Sequence, residues 1–84
     1  MSDTPPPTRN GPADRLPDAF SLTKPQGNRV LTAVCELWTH PFGWELRLMV
    51  EGEGLRASSV VRSAQEIRTT ADMWRSSLLE KGWS

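Results

Sequence analysis

The sequence predicts a small α+β domain: a three-stranded antiparallel β-sheet in the order 1-2-3, followed by one C-terminal α-helix packed on one face. Three segments after residue 28 alternate apolar and polar residues, as half-buried strands do. The last segment instead spaces its apolar residues by three and four, as an amphipathic helix does. Six of the seven prolines precede Asn28 and all four tryptophans follow it, which divides the chain in two.

Residues 1–28 are expected to form a disordered Pro-rich leader, and residues 29–84 the folded β-β-β-α domain. The leader is rich in Pro, Gly, Asp and Ser, so it cannot bury enough apolar surface to offset the entropy lost on ordering. Its apolar residues Leu16, Phe20 and Leu22 leave open a helical turn or contact with the domain. A folding unit of about 56 residues is marginally stable alone and often gains stability from a partner.

The three strands are predicted by alternation with a period of two residues. In chain order they are Arg29–Thr39, Trp44–Glu51 and Leu55–Arg62. A turn at His40–Gly43 places Cys35 opposite Leu48 and puts the apolar residues of both strands on one face. For the second hairpin we expect Val50 opposite Ala57, while a slip of two residues keeps the same faces and stays open.

Ser63 and Glu66 predict the start of the helix, because a serine followed three residues later by glutamate forms a capping box. Gly82 predicts its end, and Trp83 is expected to pack back onto Leu78, as in a Schellman motif. The apolar stripe between these ends consists of Ala64, Ile67, Ala71, Trp74 and Leu78. We expect this stripe to cover the apolar face of the sheet.

Few residues of the chain suit catalysis or metal binding. His40 is the only histidine and lies in a predicted turn, and Cys35 alternates in phase with Leu31 and Leu37, as a small buried residue does. The sequence has neither a Gly-rich phosphate loop nor a cluster with metal-ligand spacing. We therefore expect a protein that is not an enzyme, with no catalytic residue, metal or cofactor.

Charge and cysteine content predict the location. The net charge is zero, so the chain has no basic excess for nucleic acid or anionic membranes. The single cysteine excludes an internal disulfide and fits a reducing compartment. No apolar run is long enough for a signal peptide or a membrane span. These observations predict a cytoplasmic protein that does not bind membranes.

The outward face of the predicted sheet carries a candidate interaction surface. Val34 and Met49 are expected to be direct cross-strand neighbours, with Trp38 and Val60 on the same face. Trp and Met are enriched at interface cores, and a sheet covered on one side only has reason to cover the other. We expect the partner to be another protein, a second copy in a homodimer, or the leader's own apolar residues. The first and third strands are edges, where another chain could also pair.

A nucleic-acid-binding sheet is the alternative. Plant AP2-type and integrase arm-type DNA-binding domains share this order of strands and helix, which is an analogy of topology alone. The candidate contacts are Arg29, Arg47, Arg56 and Arg62. Acidic residues are expected to neutralise three of them, in the cross-strand pairs Glu36–Arg47, Glu51–Arg56 and Glu45–Arg62.

Three stretches of the domain are distinctive in sequence. They are Trp44-Glu45-Leu46-Arg47, then Arg56-Ala57-Ser58-Ser59-Val60-Val61-Arg62, and the ending Lys81-Gly82-Trp83 after Trp74 and Leu78. Together they resemble a group of short bacterial proteins of unknown function, mostly from soil alphaproteobacteria. The resemblance spans about Pro41 to Trp83, and it implies no activity and no functional residues.

Overall fold

A computed structural model describes residues 13–84 as a four-stranded antiparallel sheet followed by one helix. The elements are β1 Arg15–Gln26, β2 Arg29–His40, β3 Gly43–Val50, β4 Gly54–Val61 and α1 Ala64–Glu80. The strands lie in chain order, so each is hydrogen-bonded to the next. The α+β class and the antiparallel sheet with a C-terminal helix are confirmed. Residues 1–12, the first part of the predicted leader, lie outside the described residues.

The expectation of three strands is wrong, because β1 adds a fourth from within the predicted leader. The expectation that this stretch stays mobile therefore fails for residues 15–26. Phe20 and Leu22 alternate onto the core face, and Leu22 is buried there. Gly27 and Asn28 form a two-residue loop to β2, with Gly27 at a φ of 61°, the left-handed region that such a tight hairpin loop requires. Packing of these two apolar side chains and the ladder with β2 outweigh the unfavourable composition.

β1 is irregular in its first half. Leu16 pairs with Leu37 and Phe20 pairs with Cys35, so the three residues between Leu16 and Phe20 oppose Glu36 alone. This bulge includes Pro17, which has no N–H to donate to a ladder. The bulge breaks the period of two residues and explains why alternation is hard to see before Phe20.

The register of β2 with β3 is the predicted one, with Cys35 opposite Leu48. The register expected for the second hairpin is wrong by two residues, because Ala57 lies opposite Leu48 and not opposite Val50. Gly52 and Gly54 have φ angles of 87° and 82°, which allow the chain to turn back early, so that Val50 pairs with Gly54. The slip of two residues left open by the sequence is therefore observed for residues 57–61, and an irregularity between Leu48 and Met49 changes the register again at Leu55.

Helix α1 begins and ends at the residues that the sequence indicates. The N–H of Glu66 donates to Ser63 Oγ at 3.1 Å, while the Glu66 carboxylate accepts from the N–H of Arg62 at 2.7 Å, one residue before the one expected. At the other end, the N–H of Trp83 donates to the Leu78 carbonyl at 3.1 Å, with Gly82 at a φ of 96°. These contacts complete a Schellman motif.

The core lies between α1 and the apolar face of the sheet. Its buried residues are Leu22, Ala33, Cys35, Leu46, Leu48, Val50, Val61, Ala71, Leu78 and Trp83. Ile67 and Trp74 pack partly buried against this core, as the helical stripe predicts. Ala64 was expected in the stripe but is exposed, because it lies at the first position of the helix, before α1 crosses the sheet.

Candidate functional site: the open face of the sheet

The open face is the surface of the sheet that lies opposite α1. Three rows of its side chains each cross three or more strands: Arg15–Trp38–Glu45–Val60, then Glu36–Arg47–Ser58, then Ser21–Val34–Met49–Leu55. The four residues predicted as an interaction surface are all on this face. They occupy two rows, because Trp38 and Val60 lie in the first row and Val34 and Met49 in the third.

The third row is apolar across three strands. Val34 and Met49 are direct cross-strand neighbours, as expected, and both are half-buried. Leu55 continues the row onto β4, and 57% of its surface is exposed. Leu55 was expected on the core face, but an irregularity in the β3–β4 register puts it opposite Met49 and reverses its direction. The glycines at residues 52 and 54, which shorten the loop, were the available sign of this change.

Trp38 is held in the first row by two polar neighbours. Its indole N–H donates to Glu36 Oε1 at 2.9 Å. The guanidinium carbon of Arg47 lies 4.7 Å from the centroid of its ring, within cation–π range. Arg47 in turn forms an ion pair with Glu45 at 3.0 Å. The Trp38 side chain is thus fixed before any partner arrives, which lowers the entropy cost of using it as a contact.

The charged groups of this face pair with one another. Arg15 contacts Asp18 at 2.8 Å and Glu36 at 3.6 Å, and its pKa is raised chiefly by the hydrogen bond to Asp18. Glu36 and Arg47 are cross-strand neighbours, as predicted, but each takes another ion-pair partner. The expected pairs of Glu51 with Arg56 and of Glu45 with Arg62 are wrong because the β4 register slips by two residues. Glu51 is bonded instead to Arg29, at 3.2 Å.

The four arginines of the nucleic-acid alternative do not share one surface. Arg47 lies in the middle of the open face, and Arg29 lies beside the β1–β2 loop. Arg62 is close to the ring of Phe42, at 6.0 Å from its centroid. Arg56 was expected on the open face, but it lines clefts on the helix side, next to Lys81. The same register irregularity that moves Leu55 outward moves Arg56 to the other side.

Cys35 and His40, the residues considered for catalysis, are placed differently by the fold. The Cys35 side chain is fully buried, and burial raises the pKa of its thiol to about 11, with smaller contributions from Asp18 and Glu36. The thiol therefore stays protonated at neutral pH, and it is a weak nucleophile. The Nδ1 atom of His40 accepts the N–H of Phe42 at 3.1 Å, which stabilises the β2–β3 turn.

In the described part of the chain, no group of three or more His, Cys, Asp or Glu residues is arranged to hold a metal ion. Residues 13–84 contain no helix that is long and apolar enough to cross a membrane. Nothing matches the chain in comparisons with family models, curated proteins and solved structures. The resemblance to the group of bacterial proteins stays a prediction.

Proposed function

We propose that this domain is a non-catalytic protein-interaction module whose contact surface is the open face, and that a second copy of the chain occupies it. The observation that supports the proposal most directly is the apolar row of Val34, Met49 and Leu55. A row of this kind on the solvent side of a sheet is typical of a contact surface, because it gains stability when it is covered. Trp38 adds a rigid aromatic anchor of the type that dominates interface energies.

A second copy is the occupant that the charges favour. A twofold interface places the same patch against itself, so the patch must be complementary to itself. The open face carries arginines and glutamates in alternation, with Arg15, Arg47, Glu36 and Glu45 in adjacent rows. A copy rotated by half a turn can therefore place arginine against glutamate. A partner whose charges are mostly of one sign gains no such complementarity.

The size of the face is sufficient for a modest dimer. Four strands about 4.8 Å apart and about eight residues long at about 3.4 Å each give a face of roughly 500 Å². Two copies together would bury roughly 1,000 Å², which is close to the lower limit of specific interfaces. We therefore expect a dimer that forms at micromolar concentrations.

A cytoplasmic, reducing location belongs to the same proposal, since the chain has a single thiol and that thiol is buried.

The test is the mass in solution of the parent and of Trp38→Ser at high micromolar concentration, by analytical ultracentrifugation. We expect Trp38→Ser to halve the mass of the assembly. Phe42→Ser is the matched control, because Phe42 is 66% exposed but lies in the β2–β3 loop, and this change should leave the mass unaltered. A parent that is monomeric under these conditions contradicts the proposal.

Nucleic acid is the other occupant to be tested, by titration of the parent with duplex DNA at low salt. The arginines of the open face are ion-paired and the others are dispersed, so we expect no binding of duplex DNA at low salt. Binding that weakens steeply with added salt and is lost in Arg47→Gln would favour the nucleic-acid alternative over a protein partner.

A further inference from the structure

The free edge of β4 exposes backbone groups in a regular alternation. In an antiparallel strand, successive residues direct their N–H and C=O groups to opposite sides. The N–H of Arg62, directly after β4, donates to Glu66 and so points away from β3. Ser58 and Val60 lie four and two residues before Arg62, so their N–H and C=O groups point to the same side as its N–H. In the described part of the chain, β4 has no strand on that side. The hydrogen-bonding groups of these two residues therefore point outward from the sheet.

This edge lacks the usual protections against pairing with another strand. Natural edge strands carry charged residues, prolines or bulges that prevent another strand from adding to them. Residues 57–61 of β4, Ala-Ser-Ser-Val-Val, contain no charge and no proline, and their register with β3 is regular. The segment ends at an arginine on each side, Arg56 and Arg62. We call residues 57–61 the open edge.

A groove lies beside the open edge and leaves room for an added strand. It measures about 550 Å³ and lies between β4 and the first half of α1. Ser59 and Val61 line one side, and Glu66, Thr69 and Thr70 line the other. The carboxylate of Glu66, the one charged group in this lining, already accepts a backbone N–H. Apart from this carboxylate, an added strand would meet hydroxyl groups, the amide of Gln65 and apolar atoms on the helix side.

We propose that the open edge pairs with the open edge of a second copy, antiparallel, about a twofold axis at Ser59. This axis places Ser58 opposite Val60 of the second copy, which joins the outward-pointing backbone groups of both chains in hydrogen-bonded pairs. It also places Ala57 opposite Val61 on the helix side, where a small residue meets a larger one. The pairing requires no further residue type, because residues 57–61 are complementary to the same residues of a second copy that runs in the opposite direction.

The arginines limit the pairing to this short segment. The same axis sets Arg56 opposite Arg62 of the second copy, and like charges oppose each other there. Arg56 is drawn to the helix side by an ion pair with Glu53 at 3.3 Å, and Arg62 lies next to Phe42, so neither guanidinium is directed at the axis. The two sheets would continue into one sheet of eight strands, with both helices on the same side.

This pairing goes beyond the proposed function, because it uses the edge of the sheet and not its face. If both contacts form, the parent assembles into four copies at high micromolar concentration. Ser58→Pro removes an outward N–H without touching the β3–β4 ladder, since proline is accepted at an edge position. We expect Ser58→Pro to halve the mass, leaving the face-to-face dimer.

Ser58→Ala is the matched control, because it removes the same side chain from the open face but keeps the outward N–H. We expect this variant to keep the mass of the parent. If the face contact fails and the edge contact holds, the parent is a dimer that Ser58→Pro dissociates and Trp38→Ser leaves intact. A mass that Ser58→Pro does not change overturns the pairing of the open edge.

Amide hydrogen exchange on the unaltered protein gives a second test that does not depend on the proline variant folding. Raising the concentration from low to high micromolar should slow exchange at Ser58 and Val60 by at least tenfold. The amide of Ser21, which points outward from the opposite edge like that of Thr23 two residues later, should exchange at the same rate at both concentrations. Exchange at Ser58 and Val60 that does not depend on concentration would also overturn the proposal.

Discussion

The two edges of the sheet differ in how well they are protected from pairing with another strand. On β1, Ser84 forms two backbone hydrogen bonds with Thr23, at 2.8 and 2.9 Å, and so occupies the outer side of that strand. Pro17 and Pro25 remove two further N–H groups from β1, and a bulge interrupts its first half. On β4 the open edge has none of these devices. An unprotected edge is therefore a local property of β4 and not a general property of this fold.

The protected edge depends on the C-terminal end of α1. The Schellman motif turns the chain at Gly82, so that Trp83 enters the core and Ser84 reaches β1. Lys24 of β1 adds a contact, because its ammonium group donates to the Lys81 carbonyl at 2.9 Å. β1 is thus joined to the domain by its ladder with β2 and by the residues that follow α1.

The largest effect is therefore expected from Trp83→Ala. Trp83 is only 6% exposed, and truncating a buried tryptophan costs about 3–5 kcal/mol of unfolding free energy. Because Trp83 positions Ser84, the variant should also speed up exchange of the Thr23 amide. Urea unfolding and amide exchange measure the two effects. Met73→Ala on α1 is the control, since Met73 is 60% exposed and should change stability by less than about 0.5 kcal/mol.

If Trp83→Ala destabilised the domain but left Thr23 as protected as in the parent, the β1 edge would not be held by the end of the helix. The prolines and the bulge alone would then protect the β1 edge.

Strands and helix with a largely uninterrupted period could be predicted from the sequence, and β1, whose period is broken by a bulge and which contains prolines, could not. The β2–β3 register follows from parity and a short turn, so Cys35 and Leu48 are correctly paired. The period of β1 is broken between Leu16 and Phe20, and its prolines resemble those of a disordered tail. Gly27-Asn28, a dipeptide suited to a two-residue hairpin loop, was the one indication that β1 exists.

The part of the candidate site on β2 and β3 could be predicted from the sequence, and the part on β4 could not. Val34 beside Met49 follows from the β2–β3 register alone. Leu55 and Arg56 exchange faces at an irregularity that depends on the conformation of two glycines, whereas the slip of two residues leaves the apolar residues after Arg56 on their expected side. Hydrophobic patterning cannot distinguish registers that bury the same side chains, so loop geometry decided between them.

Gly43→Ala tests how β4 is attached at its other end. Gly43 has a φ of 143°, and a Cβ atom at this position would overlap the carbonyl oxygen of Val61. The backbone of β4 must move to accept it, so we expect a loss of at least about 2 kcal/mol. Gly52→Ala is the matched control, because Gly52 has a φ of 87° but no atom within 4 Å of the added Cβ. Strain alone should cost about 1 kcal/mol there, and urea unfolding separates the two values.

Equal losses in the two glycine variants would show that the close approach of Gly43 to Val61 does not fix β4. The open edge would then belong to a strand that adjusts its position, and the contrast with the fixed edge of β1 would be sharper.

The smallest effect is expected from deletion of Ser84. Its contacts to Thr23 are made by the backbone N–H and carbonyl, so the deletion removes two exposed hydrogen bonds, at a cost of about 1 kcal/mol in total. Ser84→Ala keeps both backbone groups and should match the parent in urea unfolding. Deletion should also free the Thr23 amide to exchange faster, while Ser58 and Val60 on the opposite edge are unaffected. Faster exchange at both edges would mean that Ser84 stabilises the whole sheet, and the two edges would not be independent, because protection of one would then govern access to the other.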